Sequence, residues 1–519
     1  MKADVVENFM LFMRISEGIP TAETAAAMER YSVNLLVDRS RDSRRPVIVE
    51  QNPIYENLFG KIEYRQLPGG GIETGVALIR GGSLHRANGG VLILRAADVV
   101  GQPMLWSFLK AALRDSEIRI EEFYREGSPP LAGAPRPVPV PLDIKVILVG
   151  SQSLYRGFFI HDAEFSADFK IHAQIDPNVD ATRENLSRYA AVIAEYARTL
   201  NRSIRSEAMS RLLSLAARWA THRKPLTSSY ELLCNLIEEA SADDTGQVSR
   251  EAVAAAVSAR RRRNSQMEDE AQRAIRNKLT IIQVHGTTVG QVNGLTVQQL
   301  GDNAFGTPAR ITARSSVGRR GVISIERLVA MSGPIQQKGS MVLQDILARR
   351  FARTAPMSFD CSVTFEQLYG GVEGDSASMA EYLAIISDLA DTPIRQDLAI
   401  TGSVNQLGEA QVIGGVHHKI EGFYRTCREN GGLSGTQGVV VPAQNRDHLV
   451  LRDEVADAVE AGMFHVFTVN TVDEAVALFT GMNVGLGANG EVIADADSVY
   501  GRVLATLRDF DVALATRHL

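Results

Sequence analysis

The sequence predicts a multidomain protein of mixed α/β and α+β class, and three observations carry that expectation. Between Asn34 and Asp176 short β-rich segments alternate with helical stretches, the pattern of a sheet covered by helices. From Asp180 to Ala259 apolar residues recur at helical spacing almost without interruption, which reads as a small helical bundle. From Ile281 to Val484 strands and helices return. A chain of 519 residues has room for about three or four units, each with a core of its own.

Residues 1–33 read as a helical segment with Phe9, Phe12, Met13 and Ile15 on its apolar side, suited to cap the unit that follows. In the second unit, 34–176, the runs Asn34–Val37, Val47–Val49, Val91–Leu94 and Val146–Val149 read as strands. A proline-rich loop from Ser128 to Pro141 interrupts them, as a surface excursion or, in a ring, a loop toward a pore. Residues 177–265 form the bundle, on Leu186, Tyr189, Ala190 and Ile193, then Leu212, Leu213 and Leu215, then Leu232, Leu233, Leu236 and Ile237. Its end is the charged boundary Arg260–Arg263, a solvated helix end balanced by Glu268, Asp269 and Glu270. Within 266–485, Val439–Val441 and Phe464–Phe467 read as buried strands and Val472–Phe479 as a covering helix. Residues 486–519 end in an amphipathic helix with Val499, Val503, Leu504 and Leu507 on one side, packing on its own subunit or clasping a neighbour.

A hydrophobic share of 45%, a charged share of 22% and a net charge of −6 describe an ordinary soluble chain, and the slight acidity argues against nucleic acid as the main partner. Cys234, Cys361 and Cys427 lie far apart without metal-ligand spacing, which fits free thiols in a reducing compartment, with Cys361 read as a core residue. No apolar run reaches the roughly 18–20 residues of a membrane span, and the start Met1-Lys-Ala-Asp4 lacks the apolar core of a signal peptide. A cytoplasmic protein without a membrane partner is expected.

The chemistry concentrates in Gly370–Ser378, Gly-Gly-Val-Glu-Gly-Asp-Ser-Ala-Ser, and in the later stretch Ile413–Gly422 that carries Lys419. Together Ser376 and Lys419 read as a serine–lysine dyad. A serine hydroxyl is a poor nucleophile at neutral pH, and a neutral amine within hydrogen-bond reach takes its proton and later returns it to a leaving amine. Keeping lysine neutral there requires a downward shift of roughly 2 to 3 units, about 3 to 4 kcal/mol. Burial among Ile413, Val416, Ile420 and Phe423 is the expected source, with Thr401 as the hydroxyl that orients the amine. After Ser376 the residues Met379, Tyr382, Leu383, Ile386 and Leu389 recur at helical spacing. The serine therefore sits at or just before a helix N-terminus, where free amides hold an oxyanion. Asp375, Ser376 and Ser378 also suit a plain helix cap. His417 and His418 are adjacent without an Asp or Cys cluster, so neither a metal site nor a triad is expected.

Wider context separates these readings. From about Ile281 to Met482 the chain resembles the peptidase domain of the Lon proteases, most closely the Lon-related group with the Glu-Gly-Asp-Ser-Ala-Ser signature. The resemblance rests on Gly290-Gln-Val-Asn-Gly-Leu295, the signature at Glu373–Ser378, Thr401-Gly-Ser403, and Ile413-Gly-Gly-Val416 with Lys419. Alignment of the lysine block places the family's nucleophile on Ser376, not Ser378. The resemblance implies Lys419 as general base, Thr401 as its partner and the amides around Ser376 as oxyanion hole. Asp375 stands where the ATP-driven branch has proline, and a carboxylate there would modulate the dyad by keeping Lys419 protonated.

Upstream the resemblance continues in decayed form. Residues 34–176 and 177–265 look like a degenerate AAA+ α/β core and its helical subdomain. Gly89-Gly-Val-Leu-Ile-Leu94 resembles the strand that should end in a magnesium-binding aspartate, but Arg95 and Ala96 follow, and a guanidinium cannot ligate magnesium. No Gly-x-x-x-x-Gly-Lys-Ser/Thr loop occurs in the sequence. Ser151 occupies the sensor position after Lys145–Gly150, and the segment around Leu226–Tyr230, taken as helical, lacks the arginine expected at the γ-phosphate.

The resemblance thus implies a Lon-like serine endopeptidase of the ATP-independent LonC type, without cofactor or metal, that degrades unfolded or loosely folded polypeptides inside a homo-oligomeric ring, a hexamer, with no nucleic-acid partner. Two other classes remain open: a protease component that depends on a separate motor or adaptor, and a non-catalytic, chaperone-like ring in which Asp375 holds Lys419 charged.

Overall fold

The computed structural model describes residues 2–16, 31, 33–40, 44–66, 72–121, 137–242, 246–301, 303–353 and 357–516. The chain divides into two compact units, Met1–Gln174 and Ile175–Leu519.

In the first unit the strands β1 (Val47–Glu50), β2 (Val91–Arg95) and β3 (Lys145–Val149) form a parallel sheet with β2 in the middle. Leu92 and Leu94, two apart and therefore on one face, are buried with Leu105 and Leu109, one turn apart on helix α1 (Pro103–Asp115). Arg95 ends the central strand with its side chain 72% exposed and 3.7 Å from Asp98. Helix α2 (Gln152–His161) follows β3, capped by Ser151, whose Oγ accepts from the Leu154 N–H at 3.3 Å.

Three expectations for this unit need correction or fall outside view. Asn34–Val37 is not a strand; the Asn34 side-chain amide donates to the carbonyls of Val76 and Ile79, both at 2.8 Å, while Leu35 faces water. A short apolar run without a partner strand among the described residues has no ladder there to join. The N-terminal segment is helical over Lys2–Glu7 and Phe9–Ser16, but Phe9 and Met13 are exposed; the side chains of Phe12 and Ile15, and residues 17–30, lie outside the described residues. So does most of the proline-rich loop, of which Val140–Pro141 pairs with Glu117–Ile118.

The second unit opens with four helices, α3 (Arg183–Thr199), α4 (Ser206–Trp219), α5 (Tyr230–Ala240) and α6 (Arg250–Asn264), around Tyr189, Ile193, Leu212, Leu215, Leu236 and Ile237. Thr182 and Ser249 cap α3 and α6 by accepting from Asn185 N and Ala252 N. The stretch read as helical around Leu226 is instead a strand, Pro225–Thr227, antiparallel to Asn178–Asp180, because its apolar residue completes a pair before the helix starts at Tyr230. Of Arg260–Arg263, the last three lie in the final turn of α6, where cations favour the carbonyl end. Arg261 pairs with Glu268 and with Glu454, each at 3.1 Å, and Arg263 with Glu239 at 2.6 Å. Helix α7 (Gln266–Arg276) leads onward.

The rest is built on a seven-stranded sheet, beside which Thr287–Thr288 pairs with Ile394–Arg395 and Ser403–Val404 with Ala410–Gln411. Its strands are β4 (Gln291–Leu300), β5 (Asn303–Val317), β6 (Gly321–Ser324), β7 (Phe359–Phe365), β8 (Leu398–Ile400), β9 (Gly438–Pro442) and β10 (His465–Val469), in spatial order β6-β7-β5-β4-β8-β9-β10. β4 and β5 form a long hairpin, Gln291 facing Thr312 and Leu300 facing Asn303; β8, β9 and β10 add in parallel. All five residues of β9 are buried, as parallel strands covered on both faces must be. Along β8, Leu398 and Ile400 enter one core and Ala399 the other.

On the first face lie α8 (Pro334–Phe351), α9 (Ser378–Leu389), α11 (Val472–Thr480) and α12 (Val499–Thr516); on the second lies α10 (Val416–Glu429). Helix α12 buries Val499, Val503 and Leu507 against its own chain, and Tyr500 meets Tyr382 of α9 hydroxyl to hydroxyl at 2.9 Å. The strand expected at Phe464–Phe467 is β10, but it is an edge and only half-buried before Val469, since it has a neighbour on one side alone. Among the described residues no helix is long and apolar enough to cross a membrane.

Candidate active site

Helices α9 and α10 lie on opposite faces of the sheet, and the ends that matter converge at the carboxyl end of β8, the place where open parallel sheets present ligand sites. Thr401 is the first residue past that strand. The next residue, Gly402, donates its N–H to the Ser376 carbonyl at 2.7 Å and accepts from Met379 N at 3.1 Å, which stitches the start of α9 to the strand end. Upstream, Val372 exchanges backbone hydrogen bonds with Met331 and Gly333, both 2.9 Å, and the Ile335 N–H donates to Glu373 at 3.3 Å. Gly374 holds φ at +92, a left-handed conformation that admits glycine.

Ser376 stands two residues before α9, and the helix cap is Ala377, which has no side chain to serve the purpose. The Ser378 hydroxyl turns back to donate to the Asp375 carbonyl at 2.8 Å. Plain capping therefore does not describe this segment. Among the described residues no acceptor is bonded to the backbone N–H of Ser376 or Ala377.

Lys419 reaches the same point from α10 with 3% of its surface exposed. Its Nζ is 2.8 Å from Ser376 Oγ and 2.8 Å from Thr401 Oγ1, and the Thr401 hydroxyl donates to the Ser376 carbonyl at 3.0 Å. Burial pulls the Lys419 ammonium down to about 8, while the Asp375 carboxylate pushes the other way. Ile413, Val416, Ile420 and Phe423 are all buried in the core beneath α10. Asp375 forms no ion pair with Lys419 among the described residues; its Oδ2 accepts instead from the Ser403 hydroxyl at 2.7 Å.

The two histidines beside Lys419 face other groups. Burial holds His417 down to about 3 and His418 down to about 4, so both are neutral imidazoles at pH 7, with ring centroids 4.0 Å apart. Among the described residues no three His, Cys, Asp or Glu side chains group as metal ligands. Cys361 is in β7 with its thiol pushed up to about 12 by burial, which leaves it no thiolate character.

Three participants escape a reading by sequence. Ser403 holds Asp375. Arg218, in the helical bundle, binds Glu421 of α10 through both terminal nitrogens. Gly306 lies in β5 against the backbone of α10, where an added β-carbon would stand 2.2 Å from the His418 carbonyl oxygen. Only the last leaves a local trace, since a glycine inside a strand pattern marks close backbone approach.

Comparison with known proteins follows this layout. Residues 285–480 match the family model described as the Lon protease (S16) C-terminal proteolytic domain, residues 43–176 the LonB-like AAA domain, and residues 203–263 the archaeal LonB AAA+ ATPase LID domain. A Lon protease homolog of Escherichia coli strain K12 is 35% identical, covering 82% of this chain and 71% of its own length. The chain belongs to the Lon protease family. A Lon protease homolog of Haemophilus influenzae is 31% identical over 78% of this chain and 67% of its own, and the archaeal Lon protease of Archaeoglobus fulgidus 26% identical over 88% and 73%. The Lon proteolytic match contains Ser376, Thr401 and Lys419 and ends before α12. The Lon AAA match contains Arg95 at the end of β2.

Proposed function

We propose that the chain is an ATP-independent serine endopeptidase in which Ser376 is the nucleophile, Lys419 the general base and Thr401 the hydroxyl that orients it. The observation that carries the reading is the pair of 2.8 Å contacts from Lys419 Nζ to Ser376 Oγ and Thr401 Oγ1. A neutral amine donates one N–H to Thr401 and accepts from the Ser376 hydroxyl with its lone pair. As Oγ attacks the scissile carbonyl carbon, its proton passes to Nζ, and the amides of Ser376 and Ala377 meet the charge on the carbonyl oxygen. The ammonium then protonates the amide nitrogen, the C–N bond breaks and the amine product leaves an ester on Oγ. Water next gives a proton to Nζ and its oxygen to the acyl carbon, and Oγ departs with the proton.

Independence from ATP is supported by Arg95, a cation where magnesium would be held, and by the lack of a phosphate-loop motif in the sequence. The substrates are unfolded or loosely folded polypeptides, cleaved inside a hexameric ring in the cytoplasm; without a motor, cleavage follows the local opening of the substrate. A second reading, a chaperone-like ring without turnover, is favoured by one observation, the upward push of Asp375 on Lys419.

The test mixes the purified chain with an unfolded protein such as casein and with a stable globular one, with and without ATP and magnesium, beside Ser376→Ala and Lys419→Ala. Cleavage of the unfolded protein that is indifferent to ATP and lost in both variants supports the dyad. Cleavage that needs a lysate fraction points to a motor- or adaptor-dependent component, and none under any condition to the silent ring.

A further inference from the structure

Helix α10 carries Lys419 toward Ser376 on one side and a buried carboxylate on another. Lys419 and Glu421 are two residues apart, so their side chains leave the helix about 200° apart. Glu421 is 4% exposed and receives a forked grip: Arg218 Nη1 and Nη2 donate to its two oxygens at 2.6 and 2.8 Å. Arg452 adds its Nε at 3.1 Å and its backbone N–H at 2.9 Å. Arg218 Nη1 donates as well to the Val450 carbonyl at 2.7 Å. Against burial, which pushes the Glu421 carboxyl up, Arg218 and Arg452 hold it down to about 2. Planar bidentate pairing of this kind fixes orientation as well as distance.

Arg218 belongs to α4, the bundle helix, and Glu421 to α10. Helix α10 makes further ties to α7: Gln272 donates to the Thr426 hydroxyl at 3.0 Å, and Arg425 pairs with Glu268 at 3.2 Å and Asp269 at 2.6 Å. On the sheet side Gly422 lies against the backbone of Gly306, where a β-carbon would meet the Gly306 carbonyl oxygen at 2.0 Å. The helix is thus a rod clamped between strand and bundle.

We infer that Arg218 is a positioning residue: its grip on Glu421 couples the helical bundle to α10 and so sets where Lys419 meets Ser376 and Thr401. The inference rests on the dyad proposed above. Without Arg218 the outer face of the rod is released, the seat of Lys419 admits water, and the Glu421 carboxylate keeps Arg452 alone as its counter-charge. Water and a freer carboxylate both favour the charged amine. Asp375 is the charged group acting on Lys419 from its own side; on the other side of α10 stand Glu421, Arg218 and Arg452, paired with one another.

The experiment measures kcat and KM on an unstructured fluorogenic peptide from neutral to alkaline pH for the full chain, Arg218→Ala, Arg218→Lys and Ser376→Ala, with thermal unfolding of each. Arg218→Ala is expected to move the midpoint of the rising kcat limb up by about one pH unit, which is about a five-fold loss near pH 8, with KM within about two-fold. Arg218→Lys, keeping charge but not the fork, falls between, and carries the test alone where the alanine variant does not fold. A lowered unfolding temperature with an unmoved pH profile in both variants overturns the inference while leaving the dyad intact. Undiminished activity in Ser376→Ala overturns the dyad itself.

Discussion

A β-carbon at Gly306 would stand 2.7 Å from the Cα of Lys419 and 2.2 Å from the carbonyl oxygen of the residue before it. Strand β5 therefore touches α10 backbone to backbone, and the depth of that contact decides how far the lysine side chain must reach. Gly306→Ala meets main-chain atoms that cannot rotate away, so a cost of about 1–3 kcal/mol is expected, read by urea unfolding. Activity should fall further than stability alone explains, because Lys419 is lifted from Ser376.

Thr401 is fully buried and shares its hydroxyl between Lys419 Nζ and the Ser376 carbonyl. Thr401→Val keeps the shape and removes both bonds. A loss of about ten-fold in kcat with little change in KM is expected, and Thr401→Ser should restore most of it. Equal kcat for valine and threonine at this position would remove the hydroxyl from the mechanism.

Lys419 titrates in the fold at about 8 and in the unfolded chain near ~10.4. Below about 8 both states are protonated and the fold bears the whole desolvation cost; between about 8 and ~10.4 the unfolded state holds more protons, so stability recovers as pH rises. Lys419→Met, inactive by the proposed mechanism, should be more stable than the parent at pH 7 by up to about 3 kcal/mol, with the gain shrinking through that window. Denaturant titrations at neutral and alkaline pH check both the sign and the slope.

Asp375 pushes Lys419 upward although its carboxylate is bound to Ser403. Asp375→Asn removes the charge and keeps an acceptor for Ser403. The rising limb of kcat against pH should move to lower pH, raising activity at pH 7. A limb that stays in place would show that Ser403 already neutralises the carboxylate's reach.

His417 is 2% exposed and held down to about 3, first by burial and then by His418. In the unfolded chain it takes a proton near ~6.5. From there down to about 3 the unfolded state binds the extra proton, so acid costs stability at about 1.4 kcal/mol per pH unit. His417→Gln should flatten this slope in urea titrations between neutral and mildly acidic pH.

The local pattern was sufficient for much of this molecule. Periodicity marks α9, whose Met379, Tyr382, Leu383, Ile386 and Leu389 are all buried, and three of the four bundle helices, α3, α4 and α5. The runs at Val47, Val91 and Val146 are the three strands of the first sheet. Where the pattern misled, a partner was the missing information: Asn34–Val37 has the composition of a strand without a neighbour to pair with among the described residues, and Pro225–Thr227 has one, at Asn178–Asp180. Chain-local signals cannot register either fact.

By itself, then, the sequence determined the strands of the first sheet, three bundle helices, α9, α11 and α12, and that a serine before a helix and a lysine among apolar residues lie in a Lon-type domain. Only the tertiary structure decided that Lys419, Thr401 and Ser376 meet within hydrogen-bond distance, that Asp375 bonds Ser403 rather than the lysine, and that Arg218 grips Glu421 from 203 positions away. The reason is physical. Helix and strand preference arises from neighbours a few bonds apart, whereas the lowered charge affinity of one amine arises from water excluded by every element packed around it.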